Sequence, residues 1–203
     1  AGVTHDSNIF GAQSGAISSM VYEFSPKVSF NASLSETTFA TAYYALIIVH
    51  FDNRPGDKTL DSHDLFARLD HSFSPVTSLH FSDSYAISRN PESLLAGITL
   101  NTDQSYKRNE FDGRFETNLA PQFSGMAKFQ SVNYNYDNDN LAASLDHTEN
   151  LFGLSASYDV VPELKAVGEV RHEDILYRTS GDNKDKHSNF LIGGVDYALA
   201  QKL

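Results

Sequence analysis

Apolar and polar side chains alternate residue by residue over most of this chain, and that period predicts β-strands with two unlike faces. After Pro26, the residues Val28, Phe30, Ala32 and Leu34 share one parity, and Ser29, Asn31, Ser33 and Ser35 the other. Before Pro75, Leu65, Ala67, Leu69 and Phe73 oppose Arg68, Asp70 and Ser72. Before Pro121, Phe111, Phe115 and Leu119 oppose Asp112, Arg114, Glu116 and Asn118. Around Pro162, Phe152, Leu154, Ala156, Tyr158, Leu164, Ala166, Gly168 and Val170 oppose Gly153, Ser155, Ser157, Lys165, Glu169 and Arg171. The last run sets Leu191, Val195, Tyr197 and Leu199 against Ile192, Asp196 and Ala198. Two places break the pattern. Asp83 shares parity with Leu79, Phe81, Tyr85 and Ile87, so either it lies near an interface or a bulge shifts the register there. After Pro121, Met126, Val132, Tyr134 and Tyr136 share a face with Lys128 and Gln130, while Ala127 and Phe129 sit opposite.

A short motif recurs between these runs: an apolar strand end, a small residue, proline, one variable residue and a new alternating run. It occurs at Pro26, Pro75, Pro121 and Pro162, at spacings of 49, 46 and 41 residues, with a proline-less copy at the carboxyl end. Proline cannot donate to a ladder and presets φ for a tight turn, so the repeat predicts a series of hairpins. Stretches rich in Asn, Asp, Gly and Ser near 52–61, 88–105, 137–147 and 179–186 predict longer loops. Short turns at one end of the strands and long loops at the other are the asymmetry of transmembrane barrels. About nine strands are expected, near 17–25, 27–50, 62–74, 77–87, 106–120, 123–136, 150–159, 164–177 and 187–199. The second is too long for one span, so it either projects beyond the membrane or hides a break near 35–38. The expected fold class is therefore all-β, an antiparallel up-and-down transmembrane β-barrel of about nine or more strands. An odd count suits an incomplete barrel, because bacterial barrels have even numbers.

Length and composition narrow the setting. The 203 residues suit one domain, 1–203, with 1–15 as an extended amino-terminal segment. The longest purely apolar run is residues 45–49, far below the roughly 20 that a membrane-crossing helix needs. A net charge of −11 argues against nucleic-acid binding and against an electrostatic grip on anionic lipid. With no cysteine there is neither a disulfide framework nor a thiolate metal site. No basic stretch precedes an apolar core at the start, and Ala1-Gly2-Val3 fits a terminus left by leader cleavage.

The polar parity carries charges of both signs: Arg68 and Asp70, then Asp112, Arg114 and Glu116, then Lys165, Glu169 and Arg171. In a barrel these eight line the interior and pair across strands; in a β-sandwich they form a solvated outer face. Ten Tyr and fourteen Phe suit an aromatic girdle, with Tyr43, Tyr44, Tyr134, Tyr136, Tyr158, Tyr177 and Tyr197 near strand ends, though Trp is absent. Eight scattered histidines form no HxxxH or HExxH pair, and only His71 and His80 are placed to meet across a hairpin. Asp137 and Asp139 offer a weak calcium loop that lacks the glycine and distal Glu of an EF-hand, and a solvated loop is the blander reading. Asp182 and Asp185 form a weaker copy. No GxSxG and no Gly-rich phosphate loop occurs, so no enzyme activity and no cofactor are expected. The Asn31-Ala32-Ser33 sequon falls inside an expected strand.

The opening His5-Asp6-Ser7-Asn8-Ile9-Phe10, the Ser25-Pro26 and Ser74-Pro75 turns and the run Leu154-Ser155-Ala156-Ser157-Tyr158 resemble a family of bacterial outer-membrane β-barrels of the porin 2 type. The resemblance covers most of the chain in style, through short motifs. It implies residence in the bacterial outer membrane, contact with its lipid, and either a pore or a part in a surface assembly; some members resemble components associated with exopolysaccharide export. Family members are longer and end in an aromatic residue where this chain ends in Leu203, which makes a partial barrel the expectation. Three readings stay open. One is a porin-like pore for passive passage of small solutes or polysaccharide-related export. The second is a structural barrel that anchors or caps an assembly through its loops, with protein partners or further copies of itself. The third is a secreted β-sandwich that binds a ligand.

Overall fold

A computed structural model describes residues 1–9, 15–89, 94–95, 98–99, 104–179 and 184–198. Thirteen strands and one short helix follow in order: β1 (Gly2–Asp6), β2 (Ser19–Phe24), β3 (Lys27–Ser35), β4 (Thr38–Phe51), β5 (Thr59–Ser74), β6 (Thr77–Ser88), β7 (Leu94–Leu95), β8 (Ile98–Thr99), β9 (Tyr106–Ala120), β10 (Phe123–Tyr136), α1 (Asp139–Leu145), β11 (His147–Val161), β12 (Leu164–Tyr177) and β13 (Lys186–Tyr197). Eleven strands form one antiparallel sheet in the order β1-β2-β4-β5-β6-β9-β10-β11-β12-β13, with β3 also paired to β4; β7 and β8 form a small ribbon of their own.

The alternation places side chains as expected because every strand of the large sheet pairs antiparallel with its neighbours there, so cross-strand partners share a face. Short turns at 75–76, 121–122 and 162–163 join strand ends on one side, and each has a register shift beside it. The longer connections lie on the other side, and the one between β10 and β11 contains α1. Helix α1 starts at Asn138, whose side chain accepts from the amides of Asn140 and Leu141.

Pro26 departs from the expected hairpin. Residues 19–35 form one nearly continuous line against β4, with Phe24 opposite Ile48 and Val28 opposite Tyr44. Between them Leu46 donates to the Pro26 carbonyl at 3.0 Å. The proline interrupts that line by lacking the returning N–H, a defect tolerated at an edge. The turn falls instead at Glu36-Thr37, the break anticipated within the overlong second strand. The repeat thus starts at 36 rather than 26. Some boundaries also move: β5 begins at Thr59 and β11 at His147, inside stretches expected to be loop. The first residues are not merely extended, since β1 pairs with β2 from Gly2 opposite Glu23 to Asp6 opposite Ser19.

The sheet is not closed. Among the described residues β1 and β13 each have one neighbour, and the outer edge of β3 has none, so the expected cylinder is absent. Among the described residues no second layer covers either face. Val132 is the one buried apolar side chain of the described residues, while large apolar groups such as Leu191 (85% exposed), Val28 (71%) and Leu154 (61%) stand free.

Candidate functional site

The register sorts the described side chains onto two surfaces of opposite character. One carries Phe30, Ala42, Leu65, Phe81, Phe115, Phe129, Phe152, Leu154, Val170 and Leu191. A row of rings crosses it from β6 to β11, with centroids of Phe81 and Phe111 5.9 Å apart, Phe111 and Phe129 6.0 Å, and Phe129 and Phe152 4.8 Å. Loopward of the apolar residues the same face turns polar: His50, His63, Asn109, Ser131, Asn150, His172 and Asn189 follow Ile48, Leu65, Phe111, Phe129, Phe152, Val170 and Leu191 along their strands.

That boundary crosses the ladder obliquely. Leu191 pairs with Val170, which leads through Leu154, Ala127, Phe115, Leu79 and His71 to Thr38 on β4. On β4 the boundary residue is Ile48, ten positions away and seven strand steps from Leu191. At about 3.4 Å per residue and about 4.8 Å per strand, the strands incline by roughly 45° to the normal of the band. Traced from Leu65 on β5, six positions from His71, the slide gives roughly 35°. The stretches 40–48, 79–87 and 111–119 each begin and end on an apolar residue of this face and are nine residues long.

All eight charged candidates, Arg68, Asp70, Asp112, Arg114, Glu116, Lys165, Glu169 and Arg171, lie together on the opposite face. Several of their bonds run along a strand. Arg68 Nε lies 2.8 Å from Asp70 Oδ2, Arg114 Nε 2.9 Å from Glu116 Oε1, and an Arg171 Nη 2.8 Å from Glu169 Oε1. The Arg114 contact has poor hydrogen-bond geometry and acts as a charge pair only. Others cross strands: His80 Nδ1 to Asp70 at 2.5 Å, Lys128 Nζ to Asp112 at 3.4 Å and Lys165 Nζ to Asp159 at 3.6 Å. The sequence reading missed Arg108, Glu110 and Gln130, which extend this network loopward: Gln130 donates to Glu110 at 2.5 Å, and Arg108 Nε donates to the Tyr134 hydroxyl at 2.9 Å. Their parity with Arg114 was the available signal. Met126 and Val132 share the charged face, which resolves the ambiguous run after Pro121 by placing Ala127 and Phe129 on the apolar one.

Asp83 stays on the apolar face. The registers of β6 with β5 and with β9 show no shift there, so no bulge rescues it; it accepts from Asn109 Nδ2 at 2.9 Å. His71 and His80 are not neighbours, because His71 opposes Leu79 and His80 opposes Asp70, on opposite faces. Tyr44, Tyr158 and Tyr197 sit on the apolar face, whereas Tyr43, Tyr134, Tyr136 and Tyr177 are on the charged face, so only part of the expected girdle is on that side. Asp137 pairs with Lys107 at 3.1 Å and Asp139 begins α1, and among the described residues no group of three or more His, Asp or Glu is placed to hold a metal ion. Phe10, Asp182, Leu199 and Leu203 lie outside the described residues.

These observations define the class: an all-β protein built on a single antiparallel sheet with one apolar and one charged face. Comparison with protein-family models, with curated proteins and with solved structures found no match.

Proposed function

We propose that the chain is wall of a bacterial outer-membrane β-barrel, with the apolar face against lipid and the charged face lining a porin-like path for small solutes. One observation carries the reading: the apolar band crosses the ladder at roughly 35–45°, the strand tilt of transmembrane barrels. A flat slab of hydrocarbon imposes straight boundaries on tilted strands, and these follow from that cause. The nine-residue apolar stretches agree with the 9–11 residues of a spanning strand. Strands such as β5, at 16 residues, extend loopward well beyond them.

The exposed apolar surface supports the same reading. A water-soluble protein rarely leaves large contiguous apolar patches uncovered, and the sandwich alternative requires a second sheet over this face. None is present among the described residues. In lipid the unpaired edges of β3 and β13 are costly, since each unsatisfied backbone group there costs several kcal/mol. Closure is therefore part of the proposal. β3 and β13 run in the same direction, so an all-antiparallel cylinder needs an odd number of strands between them, and β1 has the required opposite direction beside β2. The charges on the inner face then set selectivity by sign and spacing.

Conductance across a planar bilayer tests the pore. The full-length protein, reconstituted and shown to be folded by heat-modifiable mobility, is expected to give discrete channel events. Folded protein that is silent removes the pore and leaves the structural barrel as the reading, with the polar loops as its contact surface.

A further inference from the structure

On the charged face β6 is unlike its neighbours. It presents Ser78, His80, Ser82, Ser84 and Ala86, while β5 beside it presents Phe66, Arg68 and Asp70 and β9 presents Glu110, Asp112, Arg114 and Glu116. Two rows of long side chains therefore flank a floor of mostly short ones. Ser82 lies between Arg68 and Asp112, and His80 between Asp70 and Arg114, so the two arginines stand diagonally across β6. A cavity of about 160 Å³ opens there, with Arg68, His80, Ser82, Asp112 and Arg114 in its lining beside Phe66 and Phe81.

The acids around this cavity already have cationic partners. Asp70 holds Arg68 Nε and faces His80, Asp112 faces Lys128, and Glu116 lies beside Arg114 Nε. Arg68 is hydrogen-bonded through Nε and Arg114 Nε is held beside Glu116 by charge alone, and among the described residues no acceptor is bonded to the Nη atoms of either. An Nη pair is a planar fork that matches two oxygens of an oxyanion; the Asp70 carboxylate on Nε fixes the direction of the Arg68 fork.

We propose that Arg68 and Arg114 form an oxyanion subsite that takes a carboxylate, sulfate or phosphate group of a small solute, with the Ser82 hydroxyl as a further donor from the floor. The site deepens the pore reading by giving its inner face a preferred solute chemistry. It needs only the folded sheet, so binding is measurable without conduction.

Inorganic phosphate is the probe, titrated into the full-length protein folded in detergent and followed by calorimetry. Saturable binding is expected, weakened at least tenfold by Arg68→Gln or Arg114→Gln and unchanged by Lys58→Gln. Arg114→Lys, which keeps the charge without the fork, is expected to fall in between. Ser82→Leu fills the cavity while leaving both cations in place, and is expected to abolish binding in a protein whose circular dichroism is that of the wild type. The proposal is overturned if wild-type protein shows no saturable binding, or if binding survives the arginine changes or Ser82→Leu undiminished. Phosphate binding by a folded protein that forms no channels would leave this site standing and remove the pore.

Discussion

The ring of Phe81 lies over Gly113, its partner across the β6–β9 ladder: a Cβ built on Gly113 would meet Cδ1 and Cε1 of that ring at 3.3 Å. The glycine is there for close approach rather than for backbone freedom, because it lets the ring lie flat against β9 and join the aromatic row. Gly113→Leu should force the ring aside and destabilise the fold by about 1–3 kcal/mol, the usual cost of overpacking. Gly193→Leu, where nothing lies within 4 Å of the new Cβ, should change stability by less than about 0.5 kcal/mol. Urea unfolding of the two variants in detergent measures the difference, and equal midpoints would contradict the packing argument.

A charge at Leu154, within the apolar band, tests whether that face meets lipid or water. Leu154 lies on that face between Phe152 and Ala156 and is 61% exposed. Against hydrocarbon, Leu154→Arg should cost about 2–4 kcal/mol, while Asn133→Arg, loopward on the same face, should cost about 1 kcal/mol or less. The measurement is the folding equilibrium into vesicles of defined thickness. A near-neutral Leu154→Arg would mean that this face meets water.

Pro26 lies opposite Leu46 in an edge line, and only one of the two possible bonds between them is made. Pro26→Ala restores a donor, so the expected effect on stability is neutral or favourable, up to about 1 kcal/mol. Pro75 occupies a true turn between β5 and β6, and Pro75→Ala should destabilise by about 0.4–1 kcal/mol through the unfolded chain. Thermal unfolding of both variants reads the contrast. If Pro26→Ala behaved like Pro75→Ala, a hairpin at 26 would be the better description.

Loopward of the band, His172 and Asp174 give the β12–β13 edge a pH window. Acceptance by Asn189 Oδ1, first, and then the charge and hydrogen bond of Asp174 hold the His172 imidazole above its ordinary value, against the opposing effect of desolvation. Hydrogen bonding to His187, then His172, holds the Asp174 carboxyl below the usual carboxylate range. A raised histidine stabilises fully below its unfolded value, about 6.5, and loses that contribution as pH rises through the folded value; a depressed aspartate stabilises above about 3.9 and loses it as pH falls through its folded value. The pair is therefore expected to hold the edge best between about pH 4 and 6.5. NMR titration should give His172 a midpoint above that of a model peptide, lowered in Asp174→Asn. An unchanged midpoint in that variant would exclude Asp174 as a cause.

Much of this arrangement was legible in the residues. Parity alone put all eight charged candidates on one face, because an antiparallel register without slips carries parity faithfully from strand to strand. Where residues of mixed character interrupt the pattern, parity gave no answer: Met126 and Val132 share parity with Lys128 and Gln130, and only the ladder with β9 set them beside Glu116 and Glu110 on the charged face. Pro26 misled for a related reason, since proline marks a turn and an edge-strand interruption with the same local chemistry, and only the partner strand distinguishes them.

From the sequence by itself came the two-faced strands, the hairpin order and the asymmetry of turns and loops, since each depends on residues near one another along the chain. The tertiary structure alone decided the oblique course of the apolar boundary, the opposite faces of His71 and His80, the trough along β6 and the unpaired edges at β3 and β13. Those depend on which residue of one strand stands beside which residue of another. Register is a sum of small choices at every turn and bulge, and a one-residue slip at any of them would turn a whole strand over.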